Sequence, residues 1–328
     1  MPQPSATAHL DRAEDAAAGG GPSPISALLV FGDSLADTGN AYALRGDSAF
    51  PCPPHWQGRR CDGPVWVEQL AAALGLPALV HSLAGGRNHA YGGARSGRGL
   101  SAKGMPNLLA QVEAFLAAGD PGPPNSLAVL RAGANDYLDA PPSAAVAAAV
   151  NRHLHEAVEQ LAAAGLRRFL VPSELPWGFS PIQLPGLGEA ERRGLNGLIA
   201  EQNAALQAAL EELAEQRQLQ VVQPDFHGLF LALRADPAAF GFDEIERPVL
   251  ELTPTGAVVD GAVFDGAVVD GVAGEAVGGV DGRGPAGGTG PGRQLWWDHW
   301  AHLTTAFHRR LAMVAEEALR RAGAGFHP

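Results

Sequence analysis

The chain is predicted to be an α/β protein, a three-layer α/β/α sandwich around a mostly parallel sheet, and three observations lead there. Short apolar runs at 28–31, 79–83, 126–130, 166–171 and 219–222 alternate with segments of helical period at 65–74, 107–118, 143–164 and 189–216. Such alternation builds a parallel sheet covered by helices on both faces. The run at 28–31 is continuous in apolarity and that at 126–130 nearly so, as strands buried on both sides require. Finally, Gly32-Asp33-Ser34 follows the first run and Gly133-Ala134-Asn135-Asp136 follows that at 126–130. Loops beyond the carboxyl ends of strands are where open α/β sheets meet ligands.

Taken in order, residues 1–24 are rich in Ala, Gly, Ser and Pro and lack the basic start and apolar run of a secretory signal. They read as a disordered leader, with a cytoplasmic location as the default. A single domain is expected over 25–328. After the first strand, 41–62 mixes Gly, Pro, Arg and aromatic residues without period, as a surface loop at a pocket mouth would. Val65, Trp66, Gln69, Leu70 and Leu74 mark an amphipathic helix stopped by Gly75, with Trp66 assigned to the core. The run 79–83 is expected to be the second strand, leading into a Gly-rich stretch, 85–104, that lets backbone amides approach a ligand.

The irregular segment 172–187 offers Trp177 and Phe179 to shape a pocket, and the helix at 189–216 carries a buried stripe of Leu195, Leu198, Ile199, Leu206 and Leu210. The run at 219–222 reads as the last strand. His153 and His155, two apart on one helix, face different sides and are packing or solvated residues rather than joint metal ligands. Between 256 and 292 the five-residue repeats Gly256 to Asp260, Gly261 to Asp265 and Gly266 to Asp270 decay into Gly, Val and Asp. Three copies are too few for a solenoid, and the glycine pattern of calcium-binding repeats is absent, so a flexible insertion is expected.

A formal net charge of −12 argues against a nucleic-acid partner, which needs a basic face. No apolar span is long enough to cross a bilayer, and nothing implies a protein partner. Cys52 and Cys61 share one loop and are compatible with either a disulfide or two thiols. His55 lies between them, but its spacing matches no zinc finger. No metal or other cofactor is indicated.

Four stretches carry the chemistry: Gly32-Asp33-Ser34-Leu35, Asn88-His89-Ala90-Tyr91-Gly92-Gly93-Ala94, Gly133-Ala134-Asn135-Asp136, and Trp297-Asp298-His299-Trp300-Ala301-His302-Leu303-Thr304. Each has an ordinary reading. Asp33, Ser34 and Asp37 could cap a following helix, and Asn-Asp pairs are common in turns. In this order, however, the four stretches resemble the SGNH hydrolases, also called the GDSL family of serine esterases and lipases, whose fold is a flavodoxin-like α/β/α sandwich. The resemblance extends to 63–68 and 237–242.

That resemblance implies an ester hydrolase acting on small-molecule or lipid acyl esters, with Ser34 as nucleophile, His302 as base and Asp298 as its partner. It implies an oxyanion hole of the Ser34 and Gly93 backbone amides and the Asn135 side chain, with Gly92 as an alternative to Gly93. A serine hydroxyl is a weak nucleophile that needs such a base, and the base needs a partner fixing its tautomer. The family usually places Asp three residues before His and follows His with Pro. Here Asp298 is four before His302 and Leu303 stands in place of the proline, so His299 competes as base. An i, i+4 pair can still share one side of a helical turn. Acyl transfer to an alcohol through the same acyl-enzyme, or a catalytically impaired binding protein on this scaffold, are the alternatives. Members of the family are often exported. Trp296, Trp297 and Trp300 are assigned to core packing first and to an acyl-chain rim second.

Overall fold

Strand β1 (Leu28–Gly32) pairs in parallel with β2 (Leu127–Arg131), Val30 facing Val129 and Gly32 facing Arg131. Beyond β2 lie β3 (Arg168–Leu170) and β4 (Gln220–Val222), also parallel, giving the order β1-β2-β3-β4. In the computed structural model, residues 24–46, 50–119, 122–181, 188–253, 256–259, 262–264, 293–298 and 300–324 are described. Residues 1–23 of the expected leader, His299, and 265–292 of the repeat region lie outside them.

The alternation of side chains along each strand divides the core into two layers. Leu28, Val30, Leu127 and Val129 point to one face, where Trp66, Phe226, Phe230, Phe307 and Leu311 cover them. These come from α2 (Trp66–Ala73), α7 (Phe226–Ala235) and α8 (Thr305–Arg321). Leu29, Phe31, Ala128 and Leu130 point the other way, against α3 (Leu108–Ala117), α5 (Ala144–Ala163) and much of α6 (Glu189–Arg217). Each fully buried Leu or Phe contributes about 1.5–3 kcal/mol relative to its exposed state. The three-layer sandwich read from the sequence is the fold observed. Two short helices, α1 (Asn40–Arg45) and α4 (Ala134–Asp139), follow β1 and β2 directly.

The second strand is displaced from its expected place. Residues 79–83 do not pair with the sheet; Gly85-Gly86 folds the chain back on itself, with the Asn88 N–H donating to the Val80 carbonyl. It is 87–91 that runs beside β1, through Val30 N–H to Arg87 O, His89 N–H to Val30 O and Tyr91 N–H to Gly32 O. The apolar Val80 and Leu83 of the misread run are exposed at 44% and 50%.

Nor is β4 the last strand. A second sheet has the order β7-β6-β5-β8, from β5 (Glu244–Thr253), β6 (Gly256–Val259), β7 (Ala262–Phe264) and β8 (Gln294–Asp298). The first repeats, expected to be a flexible loop, therefore form antiparallel strands on β5, while β8 joins β5 in parallel. No described helix is long and apolar enough to cross a membrane.

Candidate active site

Residues 268 positions apart meet at the carboxyl edge of the main sheet: His302 Nε2 lies 3.0 Å from Ser34 Oγ. On the other side of the imidazole, Nδ1 lies 2.8 and 2.9 Å from the two oxygens of Asp298.

Each member is placed by local structure. At the end of β1 a β-carbon on Gly32 would fall 2.4 Å from the Arg131 carbonyl oxygen, so only glycine allows the two strands to run this close into the turn. The Asp33 carbonyl then accepts the Ala36 and Asp37 N–H groups, and its carboxylate accepts Leu35 N–H at 3.0 Å. Asp37 accepts Gly39, Asn40 and Ala41 N–H. Capping of the turn and of α1 thus falls to Asp33 and Asp37, leaving the Ser34 hydroxyl directed at His302.

The altered spacing of the last motif is accommodated without a helical turn. Asp298 closes β8, and Ala301 adopts φ +68°, a left-handed conformation that takes up the additional residue. The Trp297 N–H donates to the His302 carbonyl at 2.7 Å, and Trp296 bridges to Leu303. Helix α8 begins two residues after Leu303. Asp298 Oδ1 also accepts the N–H groups of Trp300 and His302, at 2.9 and 3.1 Å.

Electrostatics favour a neutral base beside an ionised acid. Burial would raise the Asp298 carboxyl, but the His302 charge and hydrogen bond, with His55 and Arg60, hold it well below the usual carboxylate range. For His302 burial dominates and lowers its pKa against the pull of Asp298, and Arg60 lowers it further. With Asp298 ionised, Nδ1 carries the proton and the Nε2 lone pair faces the hydroxyl.

The other expected site residues converge on the same cavity of about 310 Å³, lined by Ser34, Gly92, Gly93, Asn135 and His302. Gly92 differs from Gly93 in one respect: its N–H donates to Asp37 Oδ2 at 2.8 Å. Among the described residues, no acceptor reaches the Ser34 and Gly93 N–H groups. Gly93 takes φ +87°, a left-handed conformation that favours glycine. Asn135 donates one amide hydrogen to the Ala94 carbonyl at 2.9 Å, leaving the other. Asp136 ties the same two loops together, accepting the Ser96 N–H and hydroxyl at 2.9 and 2.8 Å, with His153 Nδ1 2.9 Å from that hydroxyl. His155 instead lies 3.5 Å from Glu159.

Trp177 lines the cavity, whereas Phe179 stacks on Phe230 in the core. Trp296 and Trp297 are buried, and Trp300, 46% exposed, stands at the cavity wall. Cys52 and Cys61 are not joined by a disulfide.

Sequence reasoning missed three groups. His55 Nε2 lies 3.7 Å and Arg60 3.6 Å from Asp298 Oδ2. Both sit in the aperiodic 41–62 loop, where no pattern distinguishes a buried residue from an exposed one. Arg131 is the third, buried between Asp33 and Glu174. Its position one residue before the Ala132-Gly133 turn, at the end of a buried strand, was the available signal.

A parallel α/β sandwich thus gathers a serine, a histidine and a carboxylate at one sheet edge. The GDSL-like lipase/acylhydrolase family model matches residues 28–315, and the chain belongs to that family. It is 36% identical over 120 residues to the phosphatidylcholine-sterol acyltransferase of Aeromonas hydrophila, covering 35% of this chain and 33% of that protein. It is 27% identical over 296 residues to the thermolabile hemolysin of Vibrio parahaemolyticus, covering 89% of this chain and 63% of that protein. The chain thus spans about a third of the first relative and under two-thirds of the second. A solved lipolytic G-D-S-L family protein from Veillonella parvula aligns at 20% identity and TM-score 0.38, over 64% of this chain and 84% of that one.

Proposed function

We propose that the chain is a serine ester hydrolase working through an acyl-enzyme, within one catalytic domain over 25–328. The observation that carries this reading is the Ser34–His302–Asp298 line, with a 3.0 Å hydroxyl-to-imidazole contact opening on a cavity. His302 takes the Ser34 proton as the oxygen attacks the ester carbonyl, and Asp298 stabilises the imidazolium that forms. The Ser34 and Gly93 amides and the Asn135 side chain hold the oxyanion. His302 then protonates the departing alcohol, and a water molecule, deprotonated by His302, cleaves the acyl-enzyme.

Acyl transfer uses the same intermediate with an alcohol in place of water, and the likeness to the Aeromonas acyltransferase supports including an alcohol acceptor in any assay. An impaired scaffold requires an Asp298 that cannot reach His302, and a 2.8 Å separation counts against it. Hydrolysis across a panel of carboxylic esters is expected for the wild type. Ser34→Ala should lower kcat by at least about 10³-fold. Turnover that survives that substitution refutes the reading.

A further inference from the structure

The segment 50–62 brings two basic side chains to the carboxylate of Asp298, and the mechanism above gives neither a task. Oδ1 of that carboxylate is engaged by His302 Nδ1 at 2.8 Å and by the N–H groups of Trp300 and His302 at 2.9 and 3.1 Å. Oδ2 shares His302 Nδ1 at 2.9 Å and, among the described residues, otherwise faces Arg60 Nη2 at 3.6 Å and His55 Nε2 at 3.7 Å. Both lie beyond hydrogen-bond distance, where charge and not a shared proton decides. The carboxylate is buried, so it needs a counter-charge close by. His302 is neutral while it awaits substrate, and His55 directs its Nδ1 at the Pro51 carbonyl, 3.0 Å away. Of these groups, Arg60 carries its charge at every working pH.

The fold does not use this arginine to hold its own loop. Arg59 pairs with Glu68 of α2 at 2.6 Å, and Asp62 accepts the Thr305 N–H at the start of α8 at 2.6 Å. Its neighbours on either side therefore anchor the segment. The Arg60 guanidinium lies 5.3 Å from the Phe50 ring centre, within cation–π range, and its Nε is buried without a hydrogen-bond partner. An arginine placed for stability would have its buried donors met. What its position supplies is a charge beside Asp298.

We propose that Arg60 is a positioning residue of this site, a fixed counter-charge that holds the Asp298 carboxylate square to His302 Nδ1. His55, its ring centre 5.0 Å from that of Phe50 and 6.0 Å from that of Trp297, packs over the same carboxylate oxygen. The proposal rests on the hydrolase reading above. The groups around His302 are Ser34, Asp298, His55 and Arg60, with His308 of α8 held neutral by burial. Burial lowers the His302 pKa most, Asp298 raises it, and Arg60 lowers it again. Removing the arginine's charge should therefore leave a more basic His302 beside a less firmly aimed partner.

The test follows hydrolysis of p-nitrophenyl butanoate by the full chain between about pH 5 and about pH 9. Arg60→Met should lower kcat by about tenfold with KM changed by less than about twofold, and should move the acid limb of kcat/KM to higher pH. Arg60→Lys, which keeps the charge, should recover most of the lost kcat and the wild-type limb. In Asp298→Asn, adding Arg60→Met should cost less than about twofold more, because the arginine acts through that carboxylate. A limb that stays in place or moves down in Arg60→Met, or an equal loss of kcat in both backgrounds, overturns the proposal. So does a rise in KM that accounts for the whole effect, which would mark Arg60 as a substrate contact. Where Arg60→Met does not fold, Arg60→Gln takes its place, and failure of both to fold shows a structural residue and overturns the proposal. A wild type without turnover, or turnover that persists in Ser34→Ala, removes the hydrolase reading and this proposal together.

Discussion

His302 sits between two opposing influences: burial depresses its basicity, and Asp298 restores part of it. Its net pKa lies below 6.5, the ordinary histidine value, so the proposed base is neutral and ready at pH 7. Activity should be lost as pH falls through that lowered value, placing the acid limb of kcat/KM below pH 6.5. In Asp298→Asn the charge that raises His302 is gone, so the limb should move to still lower pH while kcat falls by about 10³–10⁴-fold. An acid limb that moves upward would contradict this. Asn135→Ala should lower kcat by about 10²–10³-fold, as expected for a lost oxyanion donor. Ser34, Gly93, Asn135, Asp298 and His302 were legible as candidates because each stands in a short, unusual local sequence. His55 was not, because its value lies in packing beside Phe50 and Trp297 near Asp298, a tertiary fact without a local signature.

At the scale of elements, strand ends place the chemistry. Ser34 follows β1, Asn135 follows β2 in the first turn of α4, and Asp298 closes β8. The loop from Asp298 to His302 depends on Ala301 at φ +68°, a conformation that costs an L-residue about 1 kcal/mol and glycine almost nothing. Ala301→Gly should therefore keep activity and leave Tm unchanged or slightly higher. Ala301→Val, with a branched β-carbon, should lower both kcat and Tm, as read by thermal melts and initial rates. The long helices were readable from their period, since each has one apolar stripe and one wet face. The strand at 79–83 was misread because five residues of strand-like character become a strand only where a partner lies beside them. The glycine pair that follows turns the chain so that 87–91, of mixed polarity, takes the place beside β1. The 244–253 and 294–298 strands flank the repeats, but Arg247-Pro248 interrupts the first and the apolar run of the second spans only Leu295 to Trp297, too little of either pattern to mark a strand.

Across the whole molecule, Arg131 links parts that the sequence keeps distant. It joins Asp33 beside the serine to Glu174 after β3, and Glu174 in turn accepts the Trp177 indole N–H at 2.9 Å in the cavity wall. Arg131→Met would leave two buried carboxylates without their counter-charge, which should destabilise the fold by about 3–5 kcal/mol in denaturant titration. A loss under about 1 kcal/mol would show the Asp33–Arg131–Glu174 bridge to be dispensable. On the same face of the sheet, buried His308 is held neutral, its pKa lowered to about 3 by burial first and then by the charge of Arg131, and accepts the Trp66 backbone N–H at 3.1 Å. It thereby ties α2 to the helix that follows His302. The sandwich was legible because strand and helix periods are local. These buried polar connections were not, since a lone Arg or His in a sequence does not announce its partner.

The central claim, that Ser34 is the nucleophile made reactive by His302, is tested most directly by an active-site phosphonate ester followed by peptide mapping. A single adduct should form on the peptide containing Ser34, disappear in Ser34→Ala, and form far more slowly in His302→Ala than in His299→Ala. Labelling that persists unchanged in Ser34→Ala, or that depends on His299 and not on His302, would contradict the account.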